Sequence, residues 1–198
     1  MVLGIIGLSY FFIDIPLAVF CQALDQRVKD VFQVINLFGI SSWYLVISLI
    51  LFLFWRFFRR NKTYAGLAMF IFLSIAVSGI LTNIIKFAMG RWRPKMFFEQ
   101  GFYGFDPFQF EHDLTSFPSG HVTTIFALAT ALAVYYKKMR WPLFSLALVV
   151  SASRLVLGSH YFSDTIGGAL VGYGTVQWLY RKYFRFLKKE GPPLAEDL

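Results

Sequence analysis

The chain has 198 residues, 57% apolar and only 15% charged, with 24 phenylalanines and a formal net charge of +8. An average soluble domain carries about 25% charged residues, and a soluble globule of this length cannot hide so much apolar surface. These figures exclude a disordered chain, a collagen-like chain and an ordinary soluble enzyme, and they leave an integral membrane protein.

In chain order, a first helix is expected over about Leu3–Leu24, with Asp14 and Pro16 inside it. An acid at that depth is expensive and should face protein or water. The run lacks a basic leader and a small-residue cleavage site, so it is expected to stay as a helix. Val31–Trp55 and Thr63–Ile85 follow without a charge, each long enough for a bilayer crossing of about 20 residues. Shorter apolar stretches cover Ser119–Tyr136, Trp141–Gly158 and Thr165–Tyr180. The expected fold is therefore an all-α membrane bundle of six transmembrane helices, or five if the first does not cross. One domain is expected over residues 1–190, with a frayed cytoplasmic tail over 191–198.

The segment 95–117 is the one long connection, rich in Phe and Tyr among Glu99, Asp106, Glu111 and Asp113. It reads as an interfacial loop with short helical turns. Its rings suit either an aromatic belt at headgroup level or a lipid-facing rim beside a site.

The positive charge invites a nucleic-acid reading, but the basic residues cluster between apolar runs. Arg56, Arg59, Arg60 and Lys62 form one group, Lys137, Lys138 and Arg140 a second, and Arg181, Lys182, Arg185, Lys188 and Lys189 a third. With six spans these fall on one side, which the positive-inside rule makes cytoplasmic. Both termini are then cytoplasmic, and residues 25–38, 86–118 and 154–164 lie outside. Cys21 is alone, so no intrachain disulfide or cysteine metal cluster can form.

The outer face gathers the chemistry. Lys86, Arg93 and Arg154 could surround an anion with several oxygens, Arg with a planar fork and Lys as a point charge. Ser119 and Gly120 open a helix whose free N–H groups and dipole favour an anion. The Ser119 hydroxyl adds a donor, and Gly120 permits close backbone approach. This describes a phosphate cradle built without metal. His160 and Asp164 share a face if they share a helical turn, so Asp164 could keep one ring nitrogen protonated and the other free to attack. His121 could donate a proton to a leaving oxygen. A lone cation at a helix end is usually a snorkelling anchor, which is the reading given to Arg91 and Lys95. His112 has no motif partner and reads as a loop residue.

The three blocks, Lys86-x6-Arg93-Pro94, Pro118-Ser119-Gly120-His121 and Ser153-Arg154-x5-His160-x3-Asp164, resemble the three-part signature of the type 2 phosphatidic acid phosphatase superfamily. All eleven specified positions match in order. The resemblance implies a membrane enzyme acting on lipid phosphates. It implies that His160 attacks phosphorus to give a phosphohistidine, that Asp164 orients it, and that His121 protonates the leaving group and later activates water. Lys86, Arg93, Ser119, Gly120 and Arg154 would hold phosphate oxygens, with no metal or other cofactor. Vanadium haloperoxidases share the signature, but their soluble character does not suit this composition. Among compact bacterial members, the resemblance leans to a lipid A 1-phosphatase of the inner membrane with its site on the periplasmic face. Undecaprenyl pyrophosphate and phosphatidylglycerol phosphate are the alternative substrates. Arg27, Lys29, Arg91 and Lys95 are extra outer cations for a large anionic headgroup. The implied partners are the bilayer and a lipid phosphate, with no nucleic acid and no obligate protein partner. A lipid carrier on the same scaffold is the non-enzymatic alternative, and it would have no need of both histidines and Asp164.

Overall fold

A computed structural model describes residues 2–188; the expected frayed tail over 191–198 lies outside the described residues. Among these residues the chain is helical, with one isolated bridge between Arg91 and Phe105. The helices are α1 (Val2–Phe12), α2 (Asp14–Gln22), α3 (Gln26–Asn36), α4 (Ser41–Leu53), α5 (Lys62–Met89), α6 (Pro94–Gln100), α7 (Gly120–Tyr135), α8 (Arg140–Val156) and α9 (Phe162–Tyr183).

The first expected helix is broken. α1 and α2 meet at a 57° bend. Pro16 has no N–H to donate to the Phe12 carbonyl four residues back, and the hydrogen-bond ladder opens where Asp14 starts α2. Asp14 is 1% exposed at this bend; it faces protein, as an acid in an apolar run must. The second expected span is interrupted too. α3 ends at Asn36, a 3-10 turn covers Leu37–Gly39, and α4 begins at Ser41. Gly39 packs so closely on His121 that a Cβ there would lie 2.6 Å from the imidazole Cδ2.

α5 ends at Gly90, whose left-handed φ of 55° and N–H bond to the Lys86 carbonyl at 2.9 Å cap the helix. The loop before the second block presses on this cap: Asp106 N–H donates to the Gly90 carbonyl at 2.6 Å. The expected interfacial loop contains α6 and a 3-10 turn at His112–Leu114.

α7 is the centre of the bundle, packed against α5, α8 and α9. Its 16 residues extend about 24 Å, and Ala127, Ala129 and Ala131 are buried on it. One core joins α5, α7 and α9 through Phe70, Ile75, Ala127 and Val176; another joins α7 to α8 through Ile125, Ala129, Ala147 and Val150. α9 approaches α7 across Gly168 and Gly172, where a Cβ would lie 2.6 Å from the Ser119 carbonyl oxygen and 2.5 Å from that of Thr123. This small-xxx-small spacing lets membrane helices meet backbone to backbone.

Leu3, Phe11, Trp43, Ile50, Phe58, Ile84, Leu148 and Trp178 are exposed on the outside of the bundle. Such a surface suits acyl chains and not water. Length and apolarity identify three crossing segments, Gln26–Phe58, Lys62–Met89 and Lys137–Val156, and a fourth if the α1–α2 pair counts as one. They therefore support three or four of the six expected spans. α7 is short, and α9 carries Ser163, Asp164, Thr165 and several glycines; both owe their place to packing inside protein more than to apolarity.

Candidate active site

The three signature blocks lie at one end of the bundle and are tied together by direct bonds. Ser119 N–H donates to the Asp164 carbonyl at 3.1 Å, fixing the start of α7 against the start of α9. Ser159 and His160 N–H groups donate to the Arg154 carbonyl at 3.0 and 3.2 Å, closing the turn between α8 and α9. Arg93 Nη1 donates to the Ser159 carbonyl at 3.0 Å, joining the first block to the third.

Of the three expected phosphate-binding cations, Lys86 lies within electrostatic range of both Arg93 and Arg154, and among the described residues none has a carboxylate ion-pair partner. Lys86 Nζ donates to the Thr115 carbonyl, with the Ser116 carbonyl 3.4 Å away. Arg93 Nε donates to the His112 carbonyl at 2.7 Å, and Nη2 reaches Thr115 O at 3.4 Å. Arg154 Nη1 donates to Asn36 Oδ1, while its buried Nε has no partner. Arg93 and Arg154 are buried, and Lys86 is half-buried. Neutral carbonyls and an amide thus hold three cations whose burial is costly without an anion.

The Ser119 hydroxyl is fully buried and lacks any hydrogen-bond partner, so it is free to donate to a bound oxygen. One expectation is corrected: the Ser119 N–H is not free, because the Asp164 carbonyl occupies it. The next N–H groups, of Gly120 and His121, open α7 and have no carbonyl four residues back within the helix. A Cβ on Gly120 would meet nothing within 4 Å, so its α-carbon borders open space.

His160 is 4% exposed. Its Nδ1 lies 3.4 Å from Asp164 Oδ2 and 3.3 Å from the Ser116 hydroxyl, which itself donates to Asp164 Oδ2 at 2.6 Å. With these acceptors on the Nδ1 side, the neutral ring carries its proton there and its lone pair on Nε2. Burial pushes His160 well below the usual imidazole range, opposed by Asp164, so the ring is neutral at neutral pH. Asp164 is wholly buried and also accepts the Tyr161 N–H at 2.9 Å, as an acid in the first turn of α9 can. His121 is half-buried, within electrostatic range of Arg154, Arg93 and Lys86. It lines a cavity of about 480 Å³ with Gly39, Ser41, Thr82, Asn83 and Thr124. A second cavity of about 410 Å³ opens over Arg93, lined by Gln22, Lys95, Glu99, His112 and Asp113.

Arg91 is the largest correction. It is not a surface anchor and cannot serve a headgroup: it is 1% exposed, with Nη1 2.5 Å from Asp164 Oδ1 and Nη2 2.6 Å from Asp14 Oδ2. A pair of acids compensates its burial, whereas a lone helix-end arginine would reach for solvent. Lys95 does stay at the surface, paired with Asp113 at 3.2 Å, and His112 is exposed beside the same acid. Sequence reasoning also missed Gly39, Asn36 and Ser116, which support His121, Arg154 and Asp164 respectively. Among the described residues no three His, Cys, Asp or Glu side chains converge as a metal cage.

Comparison with known proteins shows the family and the fold. Residues 67–188 match the PAP2 superfamily. A lipid A 1-phosphatase of Rhizobium etli is 31% identical over 177 residues, covering 84% of this chain and 75% of the relative. Two crystal structures share the fold at 22% identity. A transmembrane PAP2-type phosphatidylglycerolphosphate phosphatase of Bacillus subtilis has a TM-score of 0.62 over 86% of each chain. LpxE of Aquifex aeolicus has a TM-score of 0.59 over 85% of this chain and 94% of its own. The chain therefore belongs to the PAP2 superfamily, the type 2 phosphatidic acid phosphatase superfamily whose three-part signature it carries.

Proposed function

We propose that the protein is a metal-independent lipid phosphatase that works through a phosphohistidine and acts on lipid A 1-phosphate. The observation that carries the reading is the set of three inward cations, Lys86, Arg93 and Arg154, held by neutral acceptors beside a neutral His160. A phosphate would complete that charge balance.

In this reading Lys86, Arg93 and Arg154, with the Ser119 hydroxyl and the Gly120 N–H, hold the phosphate oxygens. His160 Nε2 attacks phosphorus, an N–P bond forms, and the bond from phosphorus to the lipid oxygen breaks. His121 gives its proton to that oxygen. The phosphorylated ring is cationic, and Asp164 stabilises it. Water then attacks phosphorus, His121 takes its proton, the N–P bond breaks, and inorganic phosphate leaves. Positioning and charge stabilisation supply the catalysis, as phosphoryl transfer generally requires.

The Rhizobium relative supports the lipid A preference. The cavity over Arg93, with its mixed acids, amide and cations, suits a polar headgroup. The basic clusters at the opposite helix ends support cytoplasmic termini and an outward site in a bacterial inner membrane. The test is phosphate release by purified protein, with chelator present, from lipid A, undecaprenyl pyrophosphate, phosphatidylglycerol phosphate and phosphatidic acid. Fastest release from lipid A is expected. Preference for another lipid overturns the substrate assignment, and a strict need for added divalent metal overturns the metal-free mechanism.

A further inference from the structure

The carboxylate behind His160 belongs to a larger buried cluster. Arg91 bridges two acids that are 150 residues apart in sequence, Asp164 on α9 and Asp14 on α2. Ser163 closes the ring: its N–H donates to Asp14 Oδ1 at 2.9 Å and its hydroxyl to Asp14 Oδ2 at 2.5 Å. The Arg91 guanidinium lies among aromatic rings, 4.6 Å from the centroid of Tyr161 and 5.0 Å from that of Tyr10. The Tyr103 hydroxyl donates to the Tyr10 carbonyl at 2.6 Å, fastening α1 to the loop. Asp14 lies outside the segment 67–188 that matches the family, and no signature position specifies it.

We infer that Asp14 is a positioning residue for catalysis: it shares Arg91 with Asp164 and so sets the orientation and charge that Asp164 presents to His160. The inference rests on the proposed nucleophilic role of His160.

The charges explain why a second acid is useful. With His160 neutral, Asp14, Asp164 and Arg91 sum to one negative charge in a site screened from water. When His160 is phosphorylated, its ring gains a positive charge and the cluster becomes balanced. A lone Arg91–Asp164 pair would already be neutral, and Asp164 would answer the imidazolium more weakly. Asp14 draws one end of the guanidinium away, which leaves Asp164 Oδ2 for Ser116, the Tyr161 N–H and His160. Electrostatics in such a site are strong because water is excluded. The α1–α2 bend at Pro16 thereby has a catalytic consequence, since it carries Asp14 into the cluster.

The test uses the whole chain in detergent, comparing wild type, Asp14→Asn and His160→Ala for kcat, KM and product inhibition by inorganic phosphate, which reads the cradle without bonding to His160. Asp14→Asn is expected to lower kcat on the order of 10- to 100-fold, the scale of a small misplacement at a reacting centre. KM and the phosphate inhibition constant are expected to stay within about threefold, because the phosphate cradle is intact. Unchanged kcat overturns the inference. A parallel loss of phosphate binding also overturns it, by assigning Asp14 a purely structural role. If Asp14→Asn does not give folded protein, Ser163→Ala removes the two bonds of its hydroxyl, given to Asp14 and accepted from Arg91, and leaves every charge; loss of kcat alone then supports the inference and unchanged kcat overturns it. Near wild-type turnover by His160→Ala overturns the nucleophile reading itself, which separates the two failures.

Discussion

Gly168→Ala tests how the fold aims the site. The added Cβ would lie 2.6 Å from the Ser119 carbonyl oxygen, 3.1 Å from Val122 Cβ and 3.3 Å from Thr123 N. Two of these are backbone atoms and cannot rotate away. To reach an ordinary contact, the start of α7 must retreat from α9 by about 0.8 Å. That movement strains the bond from Ser119 N–H to the Asp164 carbonyl and shifts Ser119, Gly120 and His121 away from His160. Overpacking of this kind costs about 1–3 kcal/mol, and a displacement near 1 Å at a reacting centre costs on the order of 10²-fold in rate. Gly174→Ala is the control, because a Cβ there meets nothing within 4 Å, and Ala is favoured over Gly in a helix by about 1 kcal/mol. Phosphate release and thermal melting of both variants in detergent give the readout. The expected result is a large rate loss with a lower Tm for Gly168→Ala, and near wild-type behaviour for Gly174→Ala. Equal activity in the two variants would refute the idea that close α7–α9 packing aligns the site.

Gly39→Ala is expected to lower kcat by displacing the His121 ring, from which the new Cβ would be 2.6 Å; rescue of the rate by a substrate with a better leaving group would identify the lost step as proton donation. His160 titrates near 6.5 in an unfolded chain but well below that when buried in the fold. As pH falls through about 6.5 the unfolded state therefore gains a proton that the folded state does not, and stability declines. Melting wild type beside His160→Asn is expected to show the wild type losing Tm faster below that pH, and parallel curves would contradict the assigned burial. Lys95→Ala removes an exposed pair with Asp113, and exposed pairs contribute little, so its Tm is expected to stay near the wild-type value; a large drop in thermal unfolding would contradict that placement.

The helices α5, α7, α8 and α9 were legible because apolar runs and charged ends mark them, and their bounds fall within a few residues of those expected. The signature residues were legible because their spacing survives in one dimension. Arg91 was not. An arginine just past a helix end has the same local pattern whether it snorkels or is buried, and only Asp14 and Asp164, distant in sequence, decide between them. Asp14 did carry a signal, since an acid inside an apolar run demands a partner; what the sequence lacked was the partner's identity. Ser116 and Asn36 are polar residues at loop and helix ends, where such residues are common, and nothing local distinguishes them. Gly39 matters only through a contact with a ring on another helix. The Ser119 N–H was expected to be free from helix-end rules alone, and a tertiary carbonyl claimed it.

Trapping the intermediate tests the phosphohistidine most directly. Purified wild type and His160→Ala would be mixed with lipid A, quenched in base, where a phosphoramidate survives, and mapped by peptide mass spectrometry alongside phosphate release. Phosphate on His160 is expected in the wild type, and neither phosphoenzyme nor turnover in His160→Ala. Phosphate on a different residue, or sustained turnover without His160, would contradict it.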